Sequence, residues 1–287
     1  MKKTMLLSAV ILLACISFSY AQDTLGTQTP EIQTKVDLTY GTKYVWRGFN
    51  VFGSKSAIHP TLDLFSPTAS MGFSVEGHRA NSSEYELNER WDYSLYYLGK
   101  AFEEQPYEMM YRLAYVYYNY PDLSSHTTGS IDLHEMHAVM SFPKLLGVDG
   151  LVPSYALVKL MPVNSGTIVG ANSPSCGTAS GFAHIFMLDY AMPYICPITG
   201  VDRKLNLHSE FIFNDGVAPD GGNSSVKSGL RGPADHDWSN AVFGASTTYD
   251  INSNVSLTPG LFYQFSFDDS VNPSDQYWGT LSLTCKF

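Results

Sequence analysis

The sequence predicts an all-β chain that closes into an antiparallel, up-and-down transmembrane β-barrel of about twelve strands. Three observations predict it. Segments near ten residues long alternate apolar and polar side chains with period two, as a sheet between two unlike solvents requires. The connections between them alternate short and long. The chain also ends on such a strand: Tyr277, Gly279, Leu281, Leu283, Cys285 and Phe287 share one face, and Trp278, Thr280, Ser282, Thr284 and Lys286 share the other. In a soluble chain an aromatic strand end would fray and invite aggregation. In a closed barrel the last strand pairs with the first, and its apolar face meets lipid.

The start of the chain is read as a targeting segment. Met1, Lys2 and Lys3 precede an apolar run from Met5 to Ala14, and small residues stand at Ser19 and Ala21. This describes a secretory signal peptide over residues 1–21. A lipoprotein site at Cys15, after Leu12, Leu13 and Ala14, is the alternative. Residues 22–34 read as a polar periplasmic lead, and 35–287 as the barrel. No later stretch approaches the roughly 20 apolar residues of a spanning helix, so strands must do any crossing. The chain has 17 basic and 27 acidic residues; without Lys2 and Lys3 the balance is 15 to 27, near −12. An acidic exported chain argues against nucleic acid as a partner. Aromatic residues make up 14% of the chain, which suits a girdled barrel and would also suit a secreted β-sandwich. Cys176, Cys196 and Cys285 form no disulfide framework, and Cys285 falls on an apolar face as a small hydrophobe.

In order, the first strand is expected from Lys35 to Arg47, with Val36, Leu38, Tyr40, Tyr44 and Trp46 outside and Lys35, Asp37, Lys43 and Arg47 inside. After a loop, Ile58 to Leu64 alternates around Pro60, and after the turn at Ser66 to Thr68 so does Met71 to His78. A strand from Glu84 to Tyr97 would place Glu84, Glu86, Arg90 and Asp92 inside, opposite Tyr85, Leu87, Trp91, Tyr93 and Leu95. Tyr107 to Tyr117 comes next with Glu108 and Arg112 inside. The segments Leu133 to Phe142, Ser154 to Met161 and Phe182 to Tyr194 are extended but leave inside and outside open. Leu205 to Phe213, Asn240 to Tyr249 and Val255 to Asp268 alternate clearly, with Glu210 inside. If both ends are periplasmic, the external connections should be the long ones; Tyr120 to Ile131, Pro162 to Ser180 and Asn214 to Asp237 fit, and the short turn at Asn81 to Ser83 does not.

The expected lumen therefore carries Lys35, Asp37, Lys43, Arg47, Glu76, Glu84, Glu86, Arg90, Asp92, Glu108, Arg112 and Glu210. These read as a charged constriction for small solutes, or as ion pairs neutralising one another inside a plugged barrel. Tyr44, Val45, Trp46, Arg47, Gly48 and Phe49 resemble the N-terminal motif of the uncharacterised TorF-like porin family, without the Ser and Gln that usually come after it. The aromatic end of the chain likewise resembles that of bacterial outer-membrane proteins, in which a terminal Phe is read by the barrel-assembly machinery. These resemblances imply an outer-membrane location, contact with outer-membrane lipids, passage of small hydrophilic solutes, and an assembly signal ending at Phe287.

Catalytic patterns are weak. A lipid hydrolase in a barrel wall needs His and Ser two apart on one strand, so that both project to one side. His208 and Ser209 are adjacent and fall on opposite faces; His59 with Thr61 and His126 with Thr128 have the spacing but the poorer nucleophile. His134, Glu135 and His137 lack the spacing of a zinc-protease helix, and Asp215, Asp220, Asp235 and Asp237 read as a solvated loop sooner than a calcium site. The sequence thus predicts a channel with no cofactor and no metal. The alternative is a non-conducting barrel acting as a lipid hydrolase or a structural or adhesive surface protein.

Overall fold

The computed structural model describes residues 32–122, 132–163, 181–196, 200–217, 236–269 and 271–287. The expected signal peptide, most of the lead, His126, Cys176, Asp220 and Asp235 lie outside these residues. The chain forms β1 (Gln33–Gly41), β2 (Val45–Trp46), β3 (Phe49–Asn50), β4 (Ala57–Ser66), β5 (Met71–Ala80), β6 (Arg90–Ala101), β7 (Met109–Asn119), β8 (Leu133–Ser141) and β9 (Leu151–Pro162). Then come β10 (Gly181–Ile195), β11 (Asp202–Asp215), β12 (His236–Thr247), β13 (Tyr249–Asp250), β14 (Val255–Ser266) and β15 (Gln276–Lys286). Three of the fifteen, β2, β3 and β13, are two-residue pieces, which leaves the twelve wall strands that the alternation predicts.

Each wall strand pairs antiparallel with its neighbours in chain order, and β1 pairs with both β4 and β15, so the sheet closes on itself. At the rim where β1 begins and β15 ends, here the near rim, Phe287 N–H donates to Thr34 O (2.8 Å) and Thr34 N–H to Phe287 O (3.1 Å). Among the described residues, closure leaves the wall with no unpaired strand edge, the condition for strands to stand in hydrocarbon. The outer face carries Phe73, Leu95, Leu113, Phe186, Phe243 and Leu281, all exposed, with Trp91, Tyr93, Trp238 and Tyr263 toward the far rim. An apolar band with aromatic residues at its edge is a lipid-facing surface. Among the described residues no helix is long and apolar enough to cross a membrane.

Strand β8 illustrates how burial settles a face that composition leaves open. Glu135 is 0% exposed and its neighbour Met136 is 56% exposed, so the carboxylate points into the barrel and the thioether out of it. In β10, Ala183 and Ile185 are buried inside and Phe186 meets the outside. Aromatic rings also lie across glycines on neighbouring strands. A Cβ on Gly72 would fall 2.1 Å from the Tyr96 ring, and one on Gly244 2.4 Å from Phe262, so these glycines make room for inward rings that fill the barrel.

Two expected strands are corrected. Residues 84–89 are not in the wall: Ser83–Asn88 forms a 3-10 helix. Strand β6 has no ladder partner before Arg90, which pairs with His78, so an extended segment there would leave its backbone unpaired. Asn81 to Ser83 is therefore only the start of a longer connection, 81–89, and the exception to the long and short alternation disappears. The first strand stops at Gly41 instead of Arg47, and the chain beyond it folds inward.

Candidate functional site

Beyond Gly41 the chain crosses the mouth of the barrel as a hairpin, with Val45 opposite Asn50 and Trp46 opposite Phe49. Its two central residues are Arg47 (φ 49°) and Gly48 (φ 91°), the positive pair of a type I′ turn. Glycine takes this conformation without strain, whereas arginine pays a local conformational penalty. The contacts of the hairpin show what offsets it.

Arg47 extends to Glu135 on β8 and forms a two-pronged pair, Nη1 to Oε2 at 2.5 Å and Nη2 to Oε1 at 2.6 Å. Tyr118 Oη donates to Oε2 of the same carboxylate (2.8 Å), and His137 Nδ1 lies 3.0 Å from Oε1. Both carboxylate oxygens are thus satisfied, which a buried charge requires. Arg90, 3% exposed, binds Asp92 through Nε (2.7 Å) and Nη2 (2.8 Å), and Nη2 also reaches Tyr44 Oη (2.7 Å). Its guanidinium lies 4.9 Å from the Trp46 ring and 4.4 Å from that of Tyr118, a cation held between two π faces. On the other side of the turn, Gly48 O accepts from Gln264 Nε2 and Asn272 Nδ2, both at 3.0 Å. A Cβ on Gly48 would fall 2.5 Å from Asn240 Oδ1 and 2.8 Å from Val271 Cγ1.

Apolar contacts complete the seat. Trp46 packs against a cluster of inward residues that includes Val116, Leu133, Val158, Leu160 and Ile212. Phe52, fully buried, joins Tyr44, Ala57 and Ala80. The half of the lumen toward the far rim is filled by these contacts. Toward the near rim the inward side chains of Asp37, Asp63, Arg112, His208 and Glu210 keep partial access to solvent. The hairpin thus stoppers the far half of the barrel, and the inward polar side chains nearer the near rim keep contact with solvent.

The expected lumen residues accordingly separate. Lys35 is exposed at the near rim, with Asp63 and Lys286 as its strand partners. Asp37 accepts from Thr39 Oγ1 (2.6 Å) and from Thr284. Arg112 contacts His137 Nε2 and stands 4.5 Å from the Tyr96 ring. Glu210 lies 3.8 Å from His208 Nε2, and Glu76 faces inward beside His78. Lys43 sits at the far rim, donating to Gln276 Oε1 (3.0 Å). Arg90 and Asp92 are buried under the hairpin, and Arg47, partly covered, stands in its turn, so none of the three lines an open passage. Glu84 and Glu86 are exposed on the 3-10 helix outside the wall, and Glu108 lies in the near-rim turn, paired with Lys144. Tyr44 and Trp46, expected outside, are inside, because the first strand ends before them.

Sequence reading missed Glu135, Tyr118, Gln264 and Asn272 as partners of the hairpin. The alternation around Glu135 held a signal: an acid in register with Leu133 and Val139 on one face marks either a lipid-facing error or a buried pair. The hydrolase patterns stay apart. Ser209 Oγ donates to Leu188 O and His208 binds Asp189, so the two do not meet. Cys196 and Cys285 are buried.

No family model and no curated protein matches the chain in sequence. Solved structures do match in fold. The NanC porin aligns with TM-score 0.51 at 9% identity, covering 88% of this chain and 100% of that one. An outer-membrane channel from Pseudomonas putida F1 aligns with TM-score 0.51 at 11% identity, covering 91% and 97%. At these identities the likeness is one of architecture. The TorF-like resemblance rests on the Tyr44 to Phe49 motif alone.

Proposed function

We propose that the protein is an outer-membrane channel of the porin type that passes small hydrophilic solutes, and that the hairpin at 42–56 is its constriction. One observation carries this reading: inward polar side chains that keep contact with solvent lead to a segment that belongs to a connection, not to the wall. Wall strands are locked on both sides by ladder bonds, whereas the tip of the hairpin is held to the wall through side chains. Its seat is also imperfect, since Asn50 Oδ1, Asn240 Nδ2 and Gln264 Oε1 are buried with no hydrogen-bond partner among the described residues. Each unsatisfied group costs about 1–3 kcal/mol, which lowers the free energy of unseating. Asp37, Glu76, Arg112 and Glu210 line the approach, with residues 1–21 as the export signal and Phe287 as the end recognised during assembly. The fold of the two aligned channels supports the reading.

The test is single-channel conductance of the refolded mature chain in a planar bilayer under a salt gradient. Discrete steps are expected, rare in the native chain and more frequent in Arg47→Ala. Asp37→Asn and Glu210→Gln are expected to shift the reversal potential. A folded, inserted barrel that stays silent both natively and with residues 43–54 replaced by a short Gly/Ser linker would refute the channel.

A further inference from the structure

Two histidines and a carboxylate converge on the inner wall between β4 and β5. His59 and His78 are buried (8% and 6% exposed), and their Nδ1 atoms face each other at 2.8 Å. His78 Nε2 lies 3.0 Å from Asp92 Oδ2. An ionised carboxylate only accepts, so His78 carries its proton on Nε2, and in the neutral ring its Nδ1 is a lone pair. The close contact with His59 then requires a proton on His59 Nδ1, held between two nitrogen lone pairs. That is a position a metal cation can take over, with His59 moving its own proton to Nε2.

Glu76 supplies the third donor. It stands two residues before His78 on β5 and so shares its face, and one donor atom from each of His59, Glu76 and His78 lies within 4.8 Å of the other two. Glu76 keeps partial contact with solvent, which gives an ion a path from the near rim. Asp92 behind His78 is the outer carboxylate that orients a metal-bound imidazole. Tyr44 closes the opposite side, its ring stacked on His78 (4.6 Å, 10°) and tilted against His59 (4.8 Å, 53°). The cation nearby is Arg90, which Asp92 neutralises through two hydrogen bonds, and Asp37 adds a further negative charge on the neighbouring strand. The surroundings therefore tolerate a dication.

We propose that His59, Glu76 and His78 bind one divalent transition-metal ion in the barrel wall, and the donor set of two imidazole nitrogens and one carboxylate favours zinc. Zinc bonds to nitrogen of about 2.0–2.1 Å place two tetrahedral ligands about 3.4 Å apart, so the imidazoles need separate by only about half an ångström. The site stands whether or not the barrel conducts.

The experiment is calorimetric titration of the untagged, refolded mature chain in detergent with Zn²⁺ alone, repeated with Co²⁺ to read the ligand field by absorption. One ion per chain and a tetrahedral Co²⁺ spectrum are expected. His59→Gln and Glu76→Gln, each shown by heat-modifiable electrophoresis to form a folded barrel, are expected to lower the affinity at least 30-fold. The other histidines of the chain supply the internal control, since His134→Gln should leave binding unchanged. No saturable one-to-one binding by the native chain, or equal binding in folded His59→Gln and Glu76→Gln, overturns the proposal.

Discussion

The hairpin turn concentrates the energetics of the site on two residues. Arg47 in the left-handed region costs about 1–2 kcal/mol, and the conformation is held by a carboxylate that cannot reach water. Removing one partner of a buried ion pair costs about 3–5 kcal/mol because the other charge is left uncompensated. Glu135→Gln is therefore expected to lower stability by roughly that amount in urea unfolding of the refolded barrel. The double variant Arg47→Met with Glu135→Leu should lose much less, since neither charge remains. Gly48→Ala acts by sterics: its Cβ meets Asn240 and Val271, and amide exchange across 42–56 should accelerate while the wall strands stay protected. The sequence displayed Arg47 and Gly48 as a pair but not their turn, because a type I′ turn usually announces itself with Asn or Asp before Gly. Glu135 was visible only as an acid among apolar residues, and its partner lies 88 residues away.

Among the elements, the wall strands and the lengths of most connections were legible and the shapes of the connections were not, for one physical reason. A wall strand separates two solvents along its whole length, which writes period two into residues such as Val255 to Phe267; a connection is shaped by distant contacts that leave no local pattern. Residues 84–88 mimic a strand because Glu84 and Glu86 alternate with Tyr85 and Leu87, yet no neighbouring strand offers them a ladder. The near-rim turns carry their own prediction. Lys144 donates to Glu108 and joins the turns at 102–108 and 142–150, and this bond, with the Glu104 N–H, holds the Glu108 carboxyl below the usual range. A carboxyl with a depressed folded pKa stabilises above its unfolded value, and the contribution is lost as pH falls through the folded one. Below about pH 4 both turns should exchange faster together, and Lys144→Met should abolish that pH response.

For the whole molecule the governing fact is that the outer face of the wall is apolar and exposed, as a lipid-facing surface requires. The outer face is tested by depth. Leu95→Arg or Leu113→Arg, near mid-strand, should reduce folding free energy into bilayers by about 2–4 kcal/mol, while Tyr277→Arg at the far rim should cost about 0–1 kcal/mol. Equal penalties at both depths would contradict a lipid-facing wall. The barrel, its strand number and its closing strand were all readable in the alternation. The stopper was not, since the pattern that ends β1 is indistinguishable from the pattern that begins the hairpin.

The position of the hairpin in the chain has a consequence for the order of folding. Residues 44–52 are made early, but the groups that hold them come later: Glu135 is separated from Arg47 by 88 residues, Gln264 from Gly48 by 216, and Asn272 from Gly48 by 224. Those last two partners take their places only when β14 and the connection to β15 are set, at the closing of the cylinder. Docking of the hairpin is thus expected to be a late event, following closure of the cylinder. In refolding experiments, quenching of Trp46 fluorescence by its new neighbours should lag behind the appearance of heat-resistant barrel, and Arg47→Ala should slow that late step without delaying the earlier one.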